Sequence, residues 1–224
     1  MARASNPETL SGAVAWTYGF ALQYGVLRTS NYVVRVSADA VQTAERASSD
    51  RALGLAAYTL AVALLNQDAA ADRARGLELM MRARDVWLRK RAVFLIPVTD
   101  LWAARETARR GDVDAAIEMA RRAVTELRDA GNIFYGLWGT GILVDTLLQR
   151  GADTDVAEAH EAIDSLSNLP ADSPICQIML VRMRTVLARA SGDELTYRDH
   201  RDRYRAMAKS RGFEGHLAWA EAMP

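Results

Sequence analysis

ARRGDVDAA (108–116), LQRGADTDVAEA (148–159) and ARASGDELTYRDH (188–200) carry one signal three times. Each is a glycine-aspartate break between two amphipathic segments. Glycine permits the left-handed backbone that ends a helix. An aspartate just beyond it accepts hydrogen bonds from the free N–H groups of the next helix and suits its positive end. Gly111 and Gly151 are 40 residues apart, and Gly151 and Gly192 are 41 apart. That period belongs to arrays of helical hairpins rather than to enzymes folded around a sheet.

Periodicity after the first break supports this reading. Val113, Ala116, Ile117, Ala120, Val124 and Leu127 recur at three- and four-residue steps, with Glu118, Arg121, Arg122 and Glu126 on other faces. Working outward, the sequence predicts helices over 7–24 and 29–48, 51–66 and 70–91, 98–110 and 112–130, 133–150 and 154–168, and 173–191 and 193–211. A short helix at 214–222 would cap the last hairpin. The same capping logic is expected of Asp153 after Gly151 and of Asp193 after Gly192. Pro97, Pro170 and Pro174 fall between elements or at helix starts, where a missing N–H costs little. The best strand candidate, VFLIPV (93–98), is weakened by Pro97. No linker separates two domains, so residues 1–224 read as a single helical repeat domain.

Composition narrows the function classes. The chain has 224 residues, half of them apolar, and its 28 basic and 28 acidic side chains cancel. Non-specific binders of nucleic acid or membrane surfaces depend on excess positive charge, so neither partner is expected. No stretch approaches the roughly 20 apolar residues that span a bilayer. Cys176 is the only cysteine, which fits a reducing, cytoplasmic setting and excludes an internal disulfide.

Motifs for chemistry fare poorly. The glycines of GLWGTG (136–141) are spaced in the reverse of a dinucleotide fingerprint, with no strand before them, so close helix packing explains them better. No glycine precedes a lysine, which excludes a phosphate loop. His160, His200 and His216 fall on different elements, so no metal site or other cofactor is expected. Cys176 begins an apolar run and reads as core. RARDVWLRKR (82–91) and YRDHRDRYRAMAKSR (197–211) mix arginine with aromatics, but interrupting aspartates favour solvated helix faces. The chain reads as non-enzymatic.

Gly111, Ala116 and Ala123 resemble the hinge and second-helix pattern of the tetratricopeptide repeat, although the period exceeds that family's 34 residues and its first-helix aromatic signature is absent. The expected fold is therefore all-α: a right-handed αα-hairpin solenoid, tetratricopeptide-like, with about five hairpins and a C-terminal cap. In such arrays the first helices line a concave surface. Trp102, Arg105 and Arg109 would share a stripe of one first helix, Tyr135, Trp138 and Asp145 of the next, and Arg182 and Arg189 of the last. Together they suggest a groove for a protein or peptide segment of acidic character. The plainer alternative is that Trp102 and Trp138 fill gaps between hairpins. A second functional reading is a small-molecule sensor using Trp102, Tyr135 and Trp138.

IPVTDLWAARETARRGDVDAAIEMARRAV (96–124), ILVDTLLQRGADTDVAEAHEAID (142–164) and LARASGDELTYRDHRDRYRAMAKSRGFEGHLAWAEAMP (187–224) resemble the C-terminal helical region of actinobacterial signalling proteins. Those proteins join an adenylate/guanylate cyclase domain to an ATPase module, and some relatives carry a LuxR-type end. The likeness is strongest from about residue 93 onward. It implies a regulatory or partner-binding tail, with cyclase or ATPase domains as partners in cis or in trans, and it transfers no catalytic residue.

Overall fold

A computed structural model describes residues 6–166 and 172–224, and among them every regular element is helical. The last residues of the segment expected to be helical at 154–168, and Pro170, lie outside the described residues. The chain divides into two compact units, Met1–Trp102 and Ala103–Pro224.

The first unit begins with α1 (Pro7–Val14), a π-helical turn (Ala15–Gly19) and α2 (Phe20–Gln23), which together fill the span expected of one helix. Then follow α3 (Asn31–Arg46), α4 (Asp50–Leu65), α5 (Ala70–Arg89), a 3-10 turn (Val93–Leu95) and the start of α6 (Ile96–Arg109). VFLIPV is thus helical. Pro97 sits in the first turn of α6, where its missing N–H costs no ladder bond.

The sequence of α4, DRALGLAAYTLAVALL, is apolar almost all round, the mark of a buried helix. It packs against α1, α3 and α5. Val14, Ala40, Val41, Ala56, Leu60 and Leu64 form the core between them. Gly76 of α5 lies so close to α4 that a Cβ there would meet the Leu65 backbone nitrogen at 3.0 Å. The basic run at 82–91 is neutralised in part by Glu45, Asp100 and Asp50, which pair with Arg82, Arg84 and Lys90 at 2.9, 2.7 and 3.2 Å.

The second unit holds the rest of α6, then α7 (Val113–Asp129), α8 (Ile133–Arg150), α9 (Asp155–Asp164), α10 (Pro174–Ala190), α11 (Glu194–Arg211) and α12 (Glu214–Glu221). α8 is the central element, packing against α7, α9 and α10, while α11 packs on α10 and α12. The glycine breaks behave as expected at two of the three sites: Gly111 and Gly192 have positive φ, and Asp112 and Asp193 accept from the Ala115 and Thr196 N–H groups at 3.2 and 3.0 Å.

At the third break, Gly151 does end α8 in the left-handed region, but Asp153 is exposed and does not cap. Asp155 works there instead. It is fully buried, accepts from the Ala152 N–H at 2.8 Å and pairs with Arg150 at 2.5 Å. The glycines of GLWGTG also differ among themselves: a Cβ on Gly141 would be in ordinary contact with Met179 and Met183, whereas Gly136 faces open space.

Candidate functional site

In the second unit, helix spacing brings several of the expected groove residues together. Arg105 and Arg109 lie one turn apart on α6, so their side chains project from the same face. Asp145 stands on α8 and Arg182 on α10. Arg182 donates from Nη2 to Asp145 Oδ2 at 2.7 Å, and its guanidinium lies 5.3 Å from the ring centroid of Trp219 on α12. Nε of Arg182 is buried and, among the described residues, meets no acceptor.

Burial and like charges act together on this cluster. Burial pushes the Arg105 guanidinium down to about 9; the charges of Arg109 and Arg182 act in the same direction, against Asp145 and Glu106. Glu106 is buried and shared with Arg110 at 3.3 Å and Arg109 at 3.8 Å. For Arg182, burial works against the charge, but the field and hydrogen bond of Asp145 outweigh it and hold the guanidinium above its ordinary value. Arg182 is thus the guanidinium bonded to the carboxylate of Asp145, which is 44% exposed, with Arg105 in the field of both.

The aromatic residues are placed less as a surface than as support. Trp138 is 5% exposed and belongs to the core of the second unit. Tyr135 is half-buried, and burial raises its hydroxyl above the usual tyrosine range. Trp102 falls in the first unit and is 1% exposed, a core side chain. Both tryptophans are thus buried side chains rather than exposed ones.

Sequence reasoning missed the residues behind Arg182. Tyr204 of α11 and His216 of α12 are fully buried, and the Tyr204 hydroxyl lies 2.8 Å from His216 Nδ1. Burial raises the Tyr204 hydroxyl well above its ordinary range. Trp219 meets His216 edge to face at 5.0 Å. This aromatic stack docks α12 and sets the Trp219 ring beneath Arg182. The only sequence hint was the aromatic spacing in GFEGHLAWAEAMP.

Arg189 does not join this cluster. Its guanidinium lies 6.0 Å from the ring of Tyr197, whose other near cation is Arg201 at 5.7 Å. A separate, mostly apolar cavity of about 140 Å³ opens beside Val124, Ile133, Gly136, Thr140 and Leu166. Among the described residues, no group of three or more His, Cys, Asp or Glu could hold a metal ion, and no helix is long and apolar enough to cross a membrane. Compared with protein-family models, curated proteins and solved structures, the chain finds no match.

Proposed function

We propose that this chain is a non-catalytic binding module of tetratricopeptide-like αα-hairpins, and that its second unit receives an acidic peptide or protein segment at Arg105, Arg109 and Arg182. The observation that carries this reading is that Arg105, Arg109 and Arg182 act on one another as like charges, with Arg182 bonded to the half-exposed Asp145. A desolvated arginine among like charges costs stability, whereas an incoming carboxylate would relieve the repulsion. Arginine suits the task because its planar fork matches a carboxylate in two bonds. The half-buried Tyr135 and the Trp219 ring under Arg182 supply apolar contact beside the charges.

In the signalling setting that the sequence resemblance implies, the partner is a segment of a cyclase or ATPase domain, in cis or in trans, in a reducing cytoplasm. The chain then acts as a regulatory tail. Selection of a random peptide library on the full chain tests this: acidic sequences should be enriched, and the enrichment should vanish on Arg105→Gln with Arg182→Gln. Enrichment of basic or purely apolar peptides would rule the site out.

A second reading is a small-molecule sensor with its ligand between helical hairpins; the 140 Å³ cavity offers such a space, lined by Val124, Ile133, Gly136 and Thr140 rather than by Trp102, Tyr135 and Trp138. A thermal-shift screen against metabolites separates the two: a strong shift abolished by Gly136→Leu, with no acidic peptide enriched, would favour the sensor.

A further inference from the structure

The cavity of about 140 Å³ in the second unit has a chemistry that narrows what it can hold. Val124 of α7, Ile133 of α8 and Leu166 beyond α9 give it apolar walls. Gly136 also lines it, and a Cβ on that residue would meet no atom within 4 Å. An apolar cavity of about 150 Å³ holds a benzene ring. The apolar part of a fitting ligand is therefore of that size.

The polar groups around the cavity are not equivalent. The hydroxyls of Thr140 and Ser165 donate to the main-chain oxygens of Gly136 and Ala162 at 2.9 and 2.7 Å, so both donors are spent inside the fold. Arg128 is the one charged side chain among the described lining residues; it is exposed, and its ion pair with Asp129 is loose, at 3.8 Å. Asn132 stands at the start of α8 and does not cap that helix with its side chain. An uncapped start leaves the first N–H groups, with their partial positive charge, to solvent or to a ligand. Arg128 and the start of α8 thus both favour negative charge, and no carboxylate among the described lining residues answers them. We propose that this cavity takes a small monocarboxylate with a phenyl-sized apolar body, the body among Val124, Ile133, Gly136 and Leu166 and the carboxylate at Arg128. The proposal rests on reading the cavity as a ligand site and adds the ligand's class; it does not depend on the Asp145 cluster.

The test titrates phenylacetate and its neutral amide, phenylacetamide, against the full chain by calorimetry at low salt. The acid should bind about tenfold more tightly than the amide. Gly136→Leu fills the cavity with a better helix former, so it should abolish binding of both probes while the thermal midpoint holds or rises. Arg128→Gln should remove most of the preference for the acid and leave binding of the amide unchanged. Amide binding as tight as that of the acid, with both lost in Gly136→Leu, would overturn the carboxylate while keeping the cavity as a ligand site. An acid preference that survives Arg128→Gln, undiminished binding in Gly136→Leu, or no binding of either probe would each overturn the proposal. A metabolite screen with no thermal shift sensitive to Gly136→Leu would remove the ligand-site reading as well.

Discussion

Arg105 carries the clearest conflict between stability and use. Its guanidinium is lowered to about 9 by burial and by Arg109 and Arg182. A base whose folded value lies below its unfolded one is penalised while charged, and the penalty is lifted as pH rises through about 9. At neutral pH, burial and the neighbouring arginines therefore offset part of what the charged Arg105 contributes to folding. Replacement by neutral glutamine should leave the thermal midpoint unchanged or raise it, while acidic-peptide binding falls. A large loss of thermal stability in Arg105→Gln would instead make the residue a structural strut. The same physics explains why sequence alone could name Arg105 but not weigh it. Its burial and its neighbours on α8 and α10 are tertiary facts.

Helix ends show which parts of the pattern were legible. Asp112 and Asp193 cap α7 and α11 as their positions beside a glycine imply, because capping is local and needs only the residues on the spot. Asp155 is different. Asp153 and Asp155 both lie within reach of the hinge, and the choice between them was made by Arg150, which also reaches Asp114 of α7 at 2.9 Å. Asp112→Ala should cost about 1 kcal/mol, the ordinary worth of a cap. Asp155→Asn should lower the thermal midpoint further, because it leaves Arg150 with only the exposed Asp114 and a buried neutral amide. Arg150 and the Ala152 N–H hold the Asp155 carboxyl below its usual value. Its contribution is present above the ordinary carboxylate pKa and is lost as pH falls through the depressed one. Below about pH 4, unfolding curves of the wild type and Asp155→Asn should therefore converge. A gap that persists into strong acid would contradict the ion-pair account.

At the scale of the molecule, the three glycine-aspartate breaks placed α6 to α11, because a glycine stop and the start of the next helix are local events. The functional stripe was only partly legible. Arg182 and Arg189 share a face of α10, yet seven residues carry the chain roughly 10 Å along the axis, so a stripe on one face need not be one site. Arg182 pairs with Asp145 and acts electrostatically on Arg105, whereas Arg189 turns to Tyr197 and both tryptophans are buried. Arg182 is tied to α12 through the Trp219 ring, a contact between two elements that spacing along either one does not announce. The central claim, that the cluster around Asp145 binds acidic segments, is tested most directly by one ratio: the Kd of an acidic peptide for Arg182→Gln over its Kd for the wild type, at low salt. Loss of a central, desolvated arginine contact of about 2 kcal/mol predicts a weakening of roughly thirtyfold. An unchanged Kd in a folded variant would contradict the account.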